Sequence, residues 1–405
     1  MSKRLFPFLM WLIPLSFFTY QFILRLWPSL TMQQIMQQFA IDATSYGLLA
    51  SVYYYGYSGF QIPIAIAMDK YGPRIILSLC ALLCGIGMYL SIETSNWNIA
   101  LLGRFLVGIG SAAGFLSTSK VISQYFSTEN YSRMVGFSFS IGLLGAVYGG
   151  KPLSLALNDF GWYEVGSFLC IIAIIIGVVS FLVLRLKTNN SEENTSFKIS
   201  DVVNIIKSPK IIALAIANLL LVGSLEGFAD VWGVNYLVAA YRVEKSVAAG
   251  VVSFVFIGMI FGGPILAFIS KYIGEYITIF LAGIVMSLCI LYLLFISSEF
   301  ETFSLSIVFF CIGMMCCYQV LVFTIGSKWS SASTLSLTIA FLNCINMLGG
   351  AFFHSIIGLF MDMFSDVVIT NGIYSISAYQ KALLIIPICA LIGSIITIYL
   401  RKQNN

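Results

Sequence analysis

The sequence predicts an all-α integral membrane protein, with twelve transmembrane helices in two pseudo-symmetric six-helix bundles. Three observations carry that expectation. The 405 residues are 59% hydrophobic and only 9% charged, with a mean hydropathy of +0.96. A soluble domain carries about 25% charged residues, and no water-soluble packing hides this much apolar surface. A soluble enzyme, a nucleic-acid binder and a disordered chain are therefore excluded. Apolar runs recur along the whole chain, each close to the ~20 residues a spanning helix needs. One long polar stretch, at 185–210, parts them six from six.

In the first half the runs fall at 6–30, 46–67, 75–92, 99–124, 133–155 and 162–184. In the second they fall at 211–238, 247–269, 276–297, 303–327, 335–360 and 380–400. Backbone polar groups in lipid must be satisfied within their own segment, so each run is expected to be a helix. The first, MSKRLFPFLMWLIPLSFFTY, puts Lys3 and Arg4 ahead of an apolar core, as a signal peptide does. It lacks a small-x-small cleavage site and runs too long, so it reads as an uncleaved span one. With the N-terminus inside, the inner loops and ends hold Lys3, Arg4, Lys70, Arg74, Arg133, Arg185, Lys187, Lys198, Lys207, Lys210, Lys271, Lys328, Arg401 and Lys402. The opposite loops at 31–45, 93–98, 298–302 and 361–379 hold no Lys or Arg. This bias puts both termini in the cytoplasm and fits a bacterial inner membrane. The expected organisation is an N-terminal bundle at 1–184, a cytoplasmic linker at 185–210 and a C-terminal bundle at 211–405. The nine cysteines all lie in apolar runs without CxxC spacing. They read as small buried hydrophobes rather than redox or metal groups.

Two equal halves suggest duplication. Sliding the second half back by 201 residues sets Pro63-Ile64 on Pro264-Ile265 and Lys70-Tyr71 on Lys271-Tyr272. The same register sets Arg25 in span one on Glu226 in span seven. A parallel repeat about the membrane normal would place these opposite charges at one depth, facing across the central interface.

Ionisable side chains inside a span are costly and by default mark a pathway or a partner. Arg25 lies in span one, Arg104 and Lys120 in span four, and Glu226 and Asp230 in span seven. At about 1.5 Å per residue, Arg25 sits roughly 28 Å from the inner end of its span. Glu226 and Asp230 sit roughly 23 and 29 Å along theirs, and Arg104 enters from outside by roughly 8 Å. These four can therefore meet in the outer half. Arg25 with Glu226 or Asp230 reads as a gate pair, or Arg25 as a direct carboxylate contact through its two-pronged fork. Arg104 reads as a structural donor to span-one groups, or as part of the gate. Lys120, near the cytoplasm, reads as a snorkelling lysine. Glu226 and Asp230, four apart on one helix face, cannot both ionise cheaply in a low-dielectric site. Their titration belongs to the pair, which is the chemistry a proton-coupled carrier needs. A fixed, fully ionised triad is the structural alternative.

The polar lining is expected from Tyr53 and Tyr57 in span two, and from Trp232 and Asn235 in span seven. Tyr318 in span ten and Asn343 and Asn346 in span eleven complete it. Polar amides in lipid also simply join helices. His354, the one histidine, reads as structural.

Two motifs resemble those of the major facilitator superfamily. Asp69-Lys70-Tyr71-Gly72-Pro73-Arg74 after span two is similar to its D-[RK]-x-G-[RP]-[RK] loop, with Ala65 where a glycine is usual. Arg104, Gly108, Gly110 and Ala112 in span four resemble R-x-x-x-G-x-G-x-A. In span five, Ala146 stands where the family's antiporters favour proline. YYYGYSGFQIPIAIAMDKYGPR and EGFADVWGVNYL look like the branch that includes phagosomal amino-acid transporters and lysosomal dipeptide carriers. The resemblance implies a central cavity lined by helices one, four, seven and ten. It also implies a cytoplasmic latch of Asp69, Lys70 and Arg74, with Glu129 and Arg133 as its partners.

There is no GxxxxGK[ST] loop for ATP, no HExxH and no GxSxG elbow,. The expectation is a secondary active transporter, not an enzyme, with no cofactor and no metal. It would move an amino acid or short peptide by proton-coupled alternating access, with the solute, protons and the bilayer as partners, as a monomer. The alternatives are an efflux or exchange carrier for organic anions or drugs, and a transporter-fold ligand sensor.

Overall fold

The computed structural model describes residues 5–185, 205–296, 301–331, 334–365 and 374–403. Most of the linker expected at 185–210, with Lys187 and Lys198, lies outside them, as do Lys3 and Arg4. The described residues are almost entirely helical, with no strand among them.

Span one runs over Phe6–Phe39 and bends near Thr31 (φ −114°, ψ 15°), just beyond Pro28. It ends at Ala40 in the left-handed conformation. Asp42 then starts the next helix, its carboxylate accepting from the Ser45 N–H at 2.8 Å, which satisfies an orphan donor of the first turn. Spans two and three form one stretch, Ala43–Glu93, turned at Gly72. Span four joins Trp97–Ser111 to Ala113–Tyr125. Span five, Thr128–Tyr148, stops at Gly149 and resumes as Lys151–Phe160. The continuous run expected at 133–155 is thus broken, because Pro152 has no N–H to continue the ladder. Spans six to nine are Trp162–Val183, Pro209–Tyr241, Lys245–Ile273 and Glu275–Phe295. Spans ten to twelve are Thr302–Lys328, Leu335–Met363 and Ile376–Lys402. Ten of these helices are individually long and apolar enough to cross a membrane. The 51-residue stretch divides into two at its Gly72 turn, and with Thr128–Tyr148 the helices are consistent with twelve spans.

The duplication is visible in the backbone. Gly72 closes span two at φ 82°, ψ 158°, and Gly274 closes span eight at φ 83°, ψ 154°. Positive φ is open to glycine at little steric cost, so both half-chains make the same turn with the same residue. Packing repeats as well. A Cβ on Gly108 of span four would lie 2.0 Å from the Tyr53 carbonyl oxygen of span two. A Cβ on Gly313 of span ten would lie 1.8 Å from the Val255 carbonyl oxygen of span eight. Small residues let membrane helices approach closely where no hydrophobic force drives them together. Gly313→Val is expected to destabilise the protein by about 3 kcal/mol through overpacking. An unchanged thermal unfolding midpoint for that variant would refute the close approach.

The bundles meet along span two against eleven, span five against eight, and span one against seven. Arg25, Glu226 and Asp230 lie on these seams. The face carrying the 40–42 turn is called the distal face below, and the opposite one the linker face.

Candidate functional site

The site starts from a defect in span one. Pro28 cannot donate to the Leu24 carbonyl, so that oxygen is left open in the helix. Arg104 of span four fills the gap: Nη1 donates to the Leu24 oxygen at 2.7 Å and Nη2 to the Arg25 oxygen at 3.0 Å. Its guanidinium lies 4.6 Å from the centre of the Tyr53 ring. No carboxylate is in salt-bridge reach of Arg104 among the described residues. It therefore positions the segment that carries Arg25.

Arg25 is buried and points across the seam to span seven. Its Nη2 donates to Glu226 Oε2 and its Nε to Asp230 Oδ2. Both carboxylates are fully buried. They sit in a segment, Leu225–Trp232, wound as a π-helix after the tight turn Val222–Ser224. Such turns are uncommon and concentrate at functional sites. Span two adds a residue that the sequence analysis passes over. The Tyr54 hydroxyl lies 2.6 Å from Glu226 Oε2 and 2.5 Å from Asp230 Oδ2. One hydroxyl carries one proton, so it donates to one carboxylate only. The second contact becomes a hydrogen bond when that carboxyl is itself protonated and donates to the tyrosine oxygen. Asp230 Oδ1 has no partner among the described residues.

The signal for Tyr54 is present in the sequence. Gly47, Ser51, Tyr54, Ser58 and Gln61 form a small and polar stripe at spacings of three and four. That stripe is the face which meets span eleven. Tyr53 and Tyr57 point elsewhere: the Tyr53 hydroxyl donates to Gln21 Oε1 at 3.1 Å, and half-buried Tyr57 has its ring 6.2 Å from that of Tyr53.

The other expected lining residues divide by depth. Trp232 is buried edge-on against the Tyr46 ring, 5.5 Å between centres. Asn235 donates from Nδ2 to the Ser29 carbonyl at 3.0 Å. Asn343 donates from Nδ2 to Gln61 Oε1 at 3.0 Å, nearer the linker face. Tyr318 is held within its own bundle, donating to the Asn218 carbonyl at 3.0 Å. Asn346 and His354 are buried without polar partners among the described residues.

The distal face is closed. Asp362, at the end of span eleven, accepts from the Thr44 N–H at 2.7 Å, the Thr44 hydroxyl at 2.5 Å and the Ala43 N–H at 3.2 Å. The Tyr374 hydroxyl also donates to it, at 2.6 Å. A carboxylate of one bundle thereby caps a helix of the other, where the helix dipole favours negative charge. Lys245 adds a bond to the Leu30 carbonyl at 3.1 Å. A cap of this kind is worth about 1 kcal/mol. In an Asp362→Ala background, a cysteine placed at Ser355 should therefore be alkylated about fivefold faster. An unaltered rate would show that the cap does not hold this face shut.

On the linker face the loop carboxylate finds a partner other than those expected. Lys120 Nζ meets Asp69 Oδ1 at 2.7 Å. Arg74 Nε donates to the Phe181 carbonyl at 2.6 Å, and Lys70 lies over the Tyr71 ring. Glu129 and Arg133 are exposed and make no ion pair among the described residues. The second bundle has a like pair, Lys328 Nζ on Glu275 Oε1 at 2.5 Å.

Comparison with known proteins bears on this arrangement. Over 151 residues the chain is 24% identical to a probable L-galactonate transporter of Escherichia coli (strain K12), covering 37% of this chain and 33% of that protein. Over 158 residues it is 23% identical to a probable galactarate/D-glucarate transporter of Bacillus subtilis (strain 168), covering 37% and 34%. The chain thus spans about a third of the length of these relatives. The solved structure of a bacterial homolog to the human lysosomal transporter Spinster, inward-facing and occupied, matches with a TM-score of 0.79 at 16% identity. It covers 99% of this chain and 98% of that one, and shows a shared fold. The Major Facilitator Superfamily pattern matches residues 9–354, through both bundles and every residue of the buried ion cluster, and the chain belongs to that family of membrane transporters.

Proposed function

We propose that this transporter moves a small zwitterion, an amino acid or short peptide, together with a proton. Its bundles, 1–184 and 211–405, would rock about the cluster of Arg25, Glu226 and Asp230. The observation that supports this most is Arg25 shared by two buried carboxylates that Tyr54 also bridges. A substrate carboxylate takes the Arg25 fork with two parallel bonds. One freed acid then holds the substrate amine, and the other keeps a proton. The loaded site is neutral, as a buried site must be to avoid an uncompensated charge. Tyr57, Trp232, Asn235, Tyr318, Asn343 and Asn346 complete the expected lining, with Tyr53 beside Arg104. The test is uptake of labelled amino acids and dipeptides into proteoliposomes, with and without an inward proton gradient. Accumulation that collapses with a protonophore supports the reading. No uptake across the panel overturns the zwitterion assignment.

A second reading, carriage of an organic anion, is favoured by the sugar-acid transporters among the relatives. An anion on Arg25 leaves both acids without a cation, so both must be protonated. Proton stoichiometry separates the two: the neutral loaded site holds one more proton with a singly charged anion than with a zwitterion. A ligand sensor of the same fold would bind solute without exchanging labelled for unlabelled molecules in counterflow.

The linker face is assigned to the cytoplasm of a bacterial inner membrane, on its lysines and arginines. The loop of Asp69, Lys70 and Arg74 acts there as a latch, with Lys120 as its partner and Glu129 and Arg133 nearby. An exposed pair contributes about 0–1 kcal/mol, so its role is in rate. Lys120→Ala should change the maximal uptake rate a few-fold and leave the half-saturating concentration in place. A shift in the latter alone would refute a purely conformational role.

A further inference from the structure

Along the seam of spans two and eleven, polar side chains are matched one by one. Asp362 meets Thr44, and the Ser355 and Ser51 hydroxyls meet at 2.8 Å. The Ser58 hydroxyl donates to the Cys344 carbonyl at 3.2 Å, and Asn343 meets Gln61. Asn346 and His354, in the middle of span eleven, break the pattern; Thr338, near its start, is likewise buried with its hydroxyl unpartnered among the described residues. Neither amide atom of Asn346 and neither ring nitrogen of His354 has a partner among the described residues, and both residues are fully buried.

These two flank the ion cluster. Asn346 and His354 lie four residues either side of Gly350, one turn below and one above. The Tyr54 ring rests on Gly350 so closely that a Cβ there would lie 2.5 Å from its Cε1. The His354 ring centre is 5.3 Å from that of Tyr54. Asn346 lies three and seven residues before Gly349 and Phe353, on the side of span eleven that meets span seven. Its helix neighbours on that side, Gly349 and Phe353, meet Val222 and the two glycines Gly223 and Gly227. A buried polar atom left unpaired costs its full desolvation, and an apolar replacement of the same shape does not. Two such atoms on the ring beside Tyr54, and two more on the same span two turns away, mark a place kept for a ligand rather than for the fold.

We infer that Asn346 and His354 form a subsite for an uncharged hydrogen-bonding group of the transported solute, a hydroxyl or an amide, beside the cluster that takes its charged end. An asparagine amide offers donors and an acceptor, and a neutral imidazole offers one of each. Neither carries a charge to compensate an ion. Each matches a group that both donates and accepts. The preferred solute is then a hydroxylated or amide-bearing amino acid, or a dipeptide with its peptide bond at this level, in preference to a plain aliphatic one. The inference rests on the reading above that the bundle interface binds the solute.

The test is calorimetric binding to the purified full-length protein in nanodiscs, with pairs that differ in one polar group. Alanine against serine and 2-aminobutyrate against asparagine probe the zwitterion reading. Propionate against lactate probes the anion reading. The polar member of a pair is expected to bind about 100-fold tighter or more, because its absence leaves the site's polar groups unpaired. Asn346→Leu and His354→Phe should each cut that preference at least tenfold, through weaker binding of the polar member. Both variants should unfold at the same or a higher temperature than the parent. If either does not fold, the alanine variant at that position carries the same expectation. Equal binding of polar and plain members by the parent protein would overturn the subsite and leave the charged site standing. So would a preference that survives in both variants. Failure of every compound to bind would overturn the subsite and the reading beneath it together.

Discussion

Arg25→Ala is expected to abolish transport, lowering initial uptake at least 100-fold in proteoliposomes of matched protein content. Two buried carboxylates would then face each other with no cation between them. Removing one partner of a buried ion pair costs about 3–5 kcal/mol, because the remaining charge is left uncompensated. The variant can relieve this only by protonating both acids, which removes the charge that drives the cycle. It also loses the fork that receives a substrate carboxylate. Arg25→Lys is the sharper control. It restores a point charge but not two parallel donors in a fixed plane. Residual uptake of a few per cent is expected there. Uptake above a tenth of the parent rate in Arg25→Ala would show that the cluster is a structural tie and that the solute binds elsewhere.

Much of this arrangement is legible in the sequence because lipid removes the alternatives. A run of about 20 apolar residues in a bilayer has to satisfy its backbone internally, so helix is the only outcome. The pairing of Arg25 with Glu226 follows from one register, and Asp230 follows from the four-residue spacing. Arg104 is expected as a donor to neighbouring carbonyls or span-one groups, and the fold adds that its acceptors are the Leu24 and Arg25 carbonyls beside Pro28.

What stayed hidden depends on faces and ends. Helix limits inferred from apolarity stop where lipid stops, yet span one continues to Phe39 through the polar TMQQIMQQF segment. Hydropathy cannot register a helix that leaves the bilayer. Tyr54 lies on a stripe that marks a packing face, but only the fold shows that its hydroxyl reaches Glu226 and Asp230 of span seven. The π-wound segment of span seven has no signature in EGFADVW that separates it from an ordinary helix. Lys120 has the composition of a snorkelling lysine, and only the fold shows that its reach ends at Asp69. Asp362 lies in a loop-flanking stretch with no motif, and its importance comes from the helix end it happens to cap.

Glu226→Gln is expected to separate binding from energy coupling. Glutamine keeps the shape and an acceptor oxygen for Arg25, but it cannot take up or release a proton. Uphill accumulation driven by an inward proton gradient should fall to the equilibrium level, a loss of all concentrative uptake. Counterflow needs only that the loaded carrier reorient, and it should continue within about tenfold of the parent rate, a cost of up to ~1.4 kcal/mol for the altered contact with Arg25. The pH dependence of exchange should flatten, because a carboxyl that can take up and release a proton is gone. Asp230→Asn provides the comparison. Its Oδ1 is buried without a partner among the described residues and so is placed to receive a donor from the solute. If Asp230 holds the amine, this change weakens affinity at least tenfold while the proton dependence persists. Should Glu226→Gln still accumulate solute against its gradient and Asp230→Asn lose that ability, the two roles are exchanged. Should both variants accumulate solute normally, the cluster does not carry the proton, and its charge pairs serve only to close the distal face.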